Sequence, residues 1–281
     1  MSQICGKNVL ITGGASGLGR HMAQKMAALG AHIIIWDINE IQLAKVAGEI
    51  KEKRGSVSTY NCDVSDRSAV HTAANSLKQD LGTVDILINN AGVVCGKPFL
   101  ECTDDQIQKT MSVNVMAHFW TTRSFLPDMI RKNSGHIVTI ASAGGIMGVS
   151  RQVDYAASKF AAFGLDESLR LEIKKNKWNI QTTVVCPYYM TTDMFRGVKT
   201  RFPLLLPILD ANEVAEKVVQ AIRKDKARVI LPPVVYAVWP LRLLPVALFD
   251  AAANFLGLNK SMDTFRGHEY SPRERKEKMP E

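Results

Sequence analysis

Short β-branched runs alternate with helix-length segments along the 281 residues. The runs are almost continuously apolar, and a glycine-rich turn follows the first of them. These three observations predict an α/β fold of the doubly wound type. It has a parallel sheet of about seven strands, helices on both faces and a C-terminal helical extension. Strands covered on both faces have no polar side, so their apolar runs need not alternate.

"NVLIT" (8–12) reads as the first strand. "LGRHMAQKMAALG" (18–30) has helical spacing and stops on Gly30, a residue suited to a left-handed helix end. "AHIIIWD" (31–37) is the second strand and 38–55 the second helix. "SVSTYNCDV" (56–64) is followed by a helix over 66–81, and "VDILINNAG" (84–92) is a strand running into a loop. A long helix over 104–132 precedes "GHIVTIAS" (135–142), and a helix over 153–176 precedes "IQTTVVCPY" (180–188). The last pair is a helix over 211–224 and "ARVILPP" (227–233). From Leu241 onward, Leu244, Leu248, Ala252 and Phe255 fall on one helical face, with Gly257 placed to close it. No internal repeat or Gly/Ser linker divides the chain, so residues 1–281 are expected to form one domain. Residues 196–281 would be its substrate lid and C-terminal extension.

Composition excludes several classes of function. The net charge of +8 is spread in short clusters: Lys174, Lys175 and Lys177; Arg223, Lys224, Lys226 and Arg228; and a mixed tail from Arg273 to Lys278. A nucleic-acid surface needs a denser basic stripe with interleaved aromatics, so no nucleic-acid partner is expected. A weak pull toward anionic headgroups fits better. Cys5, Cys62, Cys95, Cys102 and Cys186 form no C-x-x-C pair, and the histidines are scattered, so no metal site is expected. The odd cysteine count and the lack of a signal peptide point to a reducing compartment, with the cysteines as buried small hydrophobes. The N-terminus runs almost directly into "KNVLITGG", leaving no room for an anchor. The most apolar stretch, 229–258, is interrupted by four prolines, Arg242 and Asp250, which does not suit a straight membrane span.

"TGGASGLG" (12–19) sits where the first strand turns into a helix. Gly13, Gly17 and Gly19 allow tight turning and close approach of a phosphate, and the helix N-terminus supplies partial positive charge. A glycine-rich turn alone is weak. After a strand, at the start of a helix and of a βαβ unit, it has the context of a dinucleotide (Rossmann) site. Asp37 ends the second strand, placed to accept both ribose hydroxyls of NAD and to repel the extra phosphate of NADP. Ser16 adds no compensating positive charge, so NAD is favoured over NADP. In "DYAASKF" (154–160), Tyr155 and Lys159 are four residues apart and share a helix face. An ammonium beside a phenol favours the phenolate, and such a tyrosine can serve as a general acid or base. By themselves these two residues would read as a solvated helix face.

In order and spacing, the motifs resemble the short-chain dehydrogenase/reductase family. They are TGGASGLG, Asp37, "CDV" with Asp63, "NNAG" (89–92), Asn114 in "SVNVMAHF", Ser142 in "IASAGG", and Tyr155 with Lys159, over residues from about 7 to 195. The resemblance implies that Tyr155 moves the hydroxyl or carbonyl proton, while Lys159 tunes it and holds the nicotinamide ribose. Ser142 would bond the reacting oxygen, and Asn114 would hold a water linking Lys159 to solvent. Gly13, Ser16, Gly17, Leu18 and Gly19 would cradle the pyrophosphate. Asp63 and Val64 would contact adenine, Asn90 would lie beside the adenosine ribose, and Pro187 and Thr192 would flank the nicotinamide. For Ser142 alone, a strand-end serine capping its own backbone is the better reading; for Asn114 alone, a helix kink or cap.

One departure is Tyr188, where the family usually has glycine after the proline. "CPYY…TTDMFRGV", "ILPP" and "SMDTFRGH" resemble the branch with retinol dehydrogenases and 17β-hydroxysteroid dehydrogenase-like enzymes. The expected activity is NAD-dependent interconversion of a lipophilic alcohol (retinol-like, steroid or long-chain) and its carbonyl. Rivals are a reductase for a polar carbonyl such as a ketoacyl-thioester, and a lipid-surface scaffold with little turnover. The expected location is the cytoplasm with peripheral contact to a lipid surface, and the resemblance implies a homodimer or homotetramer.

Overall fold

The structure, a computed structural model, describes residues 3–267. Seven strands form one parallel sheet: β1 (Asn8–Thr12), β2 (His32–Asp37), β3 (Ser56–Asn61), β4 (Ile86–Asn89), β5 (Gly135–Ile140), β6 (Ile180–Pro187) and β7 (Arg228–Leu231). Their order is β3-β2-β1-β4-β5-β6-β7. The chain works outward from β1 to β3, returns beside β1 with β4, and then works the other way. That reversal opens a crevice beyond the carboxyl ends of β1 and β4, where ligands bind in sheets of this kind.

The helices are α1 (Gly17–Ala28), α2 (Glu40–Glu52), α3 (Arg67–Leu81), α4 (Asp104–Met111), α5 (Ala117–Lys132), α6 (Val153–Lys175), α7 (Ala211–Arg223), α8 (Val238–Leu241) and α9 (Val246–Phe255). Alternate residues of the inner strands point to opposite cores. Val9, Ile11, Ile33 and Ile35 pack with Met22 of α1, Val46 of α2 and Val218 of α7. Leu10, Ile34 and Trp36 pack on the other side with Leu77 of α3 and Phe125 of α5. Each such fully buried side chain contributes roughly 1.5–3 kcal/mol, enough to hold the strand ends that carry the site.

The helix expected over 104–132 is broken. A capping box between Thr103 and Gln106 starts α4. Ser112–Met116 then form a π turn, and α5 follows. The wider turn buries Val113, Asn114 and Val115. The helix expected from Leu241 is also broken, since Pro245 caps α9. Gly257 follows α9 with φ 75°, as its placement suggested. The inward face is Phe249, Ala253 and Leu256, while Leu244, Leu248 and Phe255 are exposed. Arg242, an interruption in the sequence, lies over the Phe160 ring at 5.3 Å and donates to the Ile146 carbonyl at 3.0 Å. Only Cys62 and Cys186 are buried; Cys5 is exposed, and Cys95 and Cys102 are half-buried. No helix among the described residues is long and apolar enough to cross a membrane. The tail from Arg273 to Lys278, and His268 of the "FRGH" motif, lie outside the described residues.

Candidate active site

Close packing shapes the glycine turn. Gly13 has φ 62°, and a β-carbon there would lie 2.9 Å from the Ala91 Cα. On Gly19 it would lie 2.2 Å from the Gly13 carbonyl oxygen. Asn90 fastens the turn to the end of β4: its Nδ2 donates to the carbonyls of Thr12 (2.9 Å) and Gly13 (3.0 Å). Thr12 Oγ1 accepts from the backbone N–H of Asn90 (3.0 Å) and Ala91 (3.1 Å). Ser16 precedes α1 without a side-chain cap, and no acid occupies the first turn. Orphan N–H groups at a helix start, in a loop that admits no bulk, suit a phosphate.

Asp37 stands at the end of β2. Its Oδ2 accepts from the Ala15 N–H and its Oδ1 from the Asn39 N–H, both at 3.1 Å. Asp63 Oδ1 accepts from the Ser65 N–H at 2.8 Å, and Val64 is buried beside it. A cleft of about 1350 Å³ runs from these acids past Gly13, Ser16, Gly17, Leu18 and Asn90 to Ser142, Tyr155, Lys159, Pro187 and Thr192. Of the residues singled out in the sequence, Gly19 and Asn114 do not line it and act from behind its wall.

Ser142, at the end of β5, accepts from the Gly144 N–H at 3.0 Å. Tyr155 and Lys159 are buried on α6, with Lys159 Nζ 5.7 Å from the centre of the Tyr155 ring. Lys159 Nζ donates to the Ile140 carbonyl at 2.8 Å. Burial pushes the Tyr155 phenol up to about 12, with hydrogen bonding to Ser142 working the other way. Burial brings the Lys159 amine down to about 8. In the chain alone the phenol is therefore raised, not lowered as its spacing from Lys159 suggested. Loss of water penalises the phenolate more than its neighbours favour it.

Asn114 brackets the site. Its Oδ1 accepts from the Val93 N–H (2.8 Å), and its Nδ2 donates to the Val93 carbonyl (2.9 Å) and Ser158 Oγ (3.0 Å). Ser158 Oγ in turn donates to the Tyr155 carbonyl at 2.7 Å. Both ends of the amide hold the loop after β4, and its nitrogen also reaches Ser158 on the helix that carries Tyr155 and Lys159.

The far half of the cleft was not legible residue by residue. Tyr188, Tyr189 and Phe195 stack edge-on, and Phe195 meets the Tyr155 ring at 5.7 Å. Leu206, Val235, Val238, Phe249 and Leu256 complete an apolar wall. The sequence signals for this wall were Tyr188 in place of glycine and the expected lid over 196–281, which named the segment but not the residues.

A glycine-cradled crevice at the reversal of strand order, leading to buried serine, tyrosine and lysine, defines a doubly wound dehydrogenase site. The chain belongs to the short-chain dehydrogenase family, whose sequence model matches residues 7–201, and is an oxidoreductase of that family. It is 44% identical over 271 residues to short-chain dehydrogenase/reductase family 16C member 6 of Bos taurus, covering 95% of this chain and 86% of that one. It is 43% identical over 268 residues to epidermal retinol dehydrogenase 2 of Homo sapiens, covering 93% and 86%. A short-chain dehydrogenase/reductase from Burkholderia phymatum, solved with NAD, superimposes with a TM-score of 0.80 at 28% identity, covering 88% of this chain and 96% of that one. A metagenomic short-chain oxidoreductase solved with NADP gives 0.70 at 26% identity, covering 82% and 98%.

Proposed function

We propose that this chain is an NAD-dependent oxidoreductase that interconverts a lipophilic alcohol, retinol-like, steroid or long-chain, and its carbonyl. The observation that carries this reading is the junction within one cleft: buried Ser142, Tyr155 and Lys159 open directly onto the apolar wall of Leu206, Val238, Phe249 and Leu256. A polar substrate would gain little from that wall.

The residues fit the cofactor. The glycine turn and uncapped start of α1 suit its phosphates, and Asp37 suits the ribose hydroxyls while repelling a further phosphate. Arg20, which lines that end of the cleft, is held by Glu49 at 2.9 Å and so does not offset Asp37. Asp63 and Val64 suit the adenine, and Pro187 and Thr192 the nicotinamide. When bound, the nicotinamide supplies the hydride acceptor. Tyr155 takes the hydroxyl proton in oxidation and returns it in reduction. Lys159 favours the phenolate and holds the ribose, and Ser142 orients the reacting oxygen. Asn114 keeps α6 and the loop after β4 in register around them.

Residues from 196 onward act as lid and extension of the same domain. Leu204, Leu243 and Val246 are 104%, 87% and 76% exposed, on the segments whose other residues line the cleft. This surface suits a lipid interface that delivers substrate. Exposed Met116, Phe119 and Leu171 on the α5–α6 side suit a second copy in a homodimer or homotetramer.

The test is NADH or NADPH formation from retinol, steroid, long-chain and small polar alcohols, with Tyr155→Phe as control. NAD-dependent turnover of a lipophilic alcohol, lost in the control, is the expected result. Turnover of polar compounds alone, or activity unchanged in the control, would overturn the reading.

A further inference from the structure

Residues 258–267 return across the mouth of the cleft as a strap. The Ser261 carbonyl accepts from the Lys199 N–H (3.1 Å), and the Arg266 N–H donates to the Arg196 carbonyl (2.9 Å). Phe265 lies over Gly96, where a β-carbon would come within 2.0 Å of its ring. Beneath the strap runs a buried polar chain in an apolar surround. Gln152 Nε2 is 3.2 Å from Tyr189 Oη, Tyr189 Oη is 2.9 Å from Ser261 Oγ, and Ser261 Oγ is 2.6 Å from the Leu258 carbonyl.

The carbonyl end fixes the direction of this chain. A carbonyl oxygen can only accept, so the Ser261 hydroxyl spends its proton on that of Leu258, which also accepts from the Ser261 N–H at 3.2 Å, and Ser261 Oγ accepts from Tyr189. Tyr189 then spends its proton on Ser261 and accepts from Gln152. The amide of Gln152 must therefore present its nitrogen to Tyr189 and turn its oxygen away. That oxygen lies near the reacting centre: one point, where a β-carbon on Gly144 would stand, is 3.5 Å from Ser142 Oγ, 3.5 Å from Tyr155 Cε1 and 3.6 Å from Gln152 Oε1. Gln152 lines the cleft, is 2% exposed, and its Oε1 meets no donor among the described residues.

We propose that Gln152 is a specificity-determining residue whose amide oxygen accepts a hydrogen bond from a second donor on the substrate, beside the reacting carbinol. This rests on the lipophilic-alcohol reading and narrows it. The reacting hydroxyl has one proton, and Tyr155 takes it. A further acceptor at the same place calls for a further donor on the substrate, and in a lipophilic alcohol the simplest is a second hydroxyl. The favoured substrates are hydrocarbon-chain alcohols with a neighbouring hydroxyl, such as 1,2-diols. A plain alcohol of the same length leaves the amide oxygen unpaired in a mostly apolar cleft, which is costly.

The experiment compares kcat/KM for dodecan-1-ol and dodecane-1,2-diol in the unaltered chain, in Gln152→Leu and in Tyr189→Phe, with NAD affinity measured by calorimetry. The expected result is a preference for the diol of about tenfold or more. It falls toward unity in both variants while NAD affinity is kept, because one variant lacks the acceptor and the other frees it to rotate. Equal use of both alcohols by the unaltered chain would overturn the proposal and leave the lipophilic-alcohol reading standing. So would an equal loss on both alcohols in the variants, the mark of a merely structural role. Failure to use either alcohol, with turnover of polar compounds, would overturn both.

Discussion

Lys159 Nζ lies 5.7 Å from the centre of the Tyr155 ring, and burial acts on both groups in the direction of neutrality. Burial holds the phenol up at about 12 and the amine down at about 8, so an opposite charge close by is what would favour the ionised form of each. Alcohol oxidation uses the phenolate, so its kcat at saturating NAD is expected to rise with pH. Carbonyl reduction uses the protonated phenol and is expected to fall. Lys159→Met removes the ammonium that favours the phenolate, so the oxidation profile should move to higher pH by about one unit or more. Steady-state rates across pH for both chains test this, and coincident profiles would contradict it. Tyr155, Lys159 and Ser142 were legible only through the order and spacing of all the motifs together, since singly each has a bland reading, and the structure brings the three into one cleft. Gln152 and Tyr189 were not: Gln152 meets Tyr189 37 residues on and Tyr189 meets Ser261 72 residues further, and no local pattern reveals such contacts.

Two glycines on helices separate a conformational role from a packing one. On Gly19 a β-carbon would strike the Gly13 carbonyl oxygen at 2.2 Å and Asn90 Nδ2 at 2.7 Å. On Gly48 of α2 it would meet nothing within 4 Å. Gly19→Ala should therefore spoil the cradle and weaken NAD binding by about tenfold or more. Gly48→Ala should leave binding intact and stabilise the fold by roughly 0.5–1 kcal/mol, through the lower entropy cost of alanine in a helix. Calorimetric titration and denaturant unfolding of the two variants check the pair, and similar behaviour would contradict it. Strand positions were legible because unbroken apolar runs such as "HIIIWD" suit only a doubly covered sheet. The π turn at Ser112–Met116 was not, since polar–apolar periodicity barely distinguishes one extra residue in a turn. The single helical face expected from Leu241 to Phe255 did not form, because Pro245 restarts the helix and resets the phase carried over from Leu241.

At the scale of the molecule, the sheet supplies a rigid edge and the segment after β6 lines the far half of the cleft with apolar side chains. Segments 202–206 and 238–258 put some of their apolar side chains into the cleft and leave others bare. Leu243→Asp combined with Val246→Asp should abolish flotation with anionic phospholipid vesicles and preserve turnover of a short water-soluble alcohol. Flotation unchanged in the double variant would show that this surface does not meet lipid. The parallel, doubly wound sheet was legible from alternation of strand and helix, whereas the placement of the C-terminal segment was not. That segment is held by tertiary contacts such as Arg242 on Phe160 and Phe265 on Gly96, which have no sequence signature.

The proposed function turns on direct hydride transfer within a Tyr155-dependent site. It is tested most directly with a long-chain alcohol deuterated at the carbinol carbon, incubated with NAD and the purified chain. Mass analysis of the recovered cofactor should show deuterium in the reduced nicotinamide, formed by the unaltered chain and not by Tyr155→Phe. Reduced cofactor without deuterium, or equal labelling by Tyr155→Phe, would contradict the account.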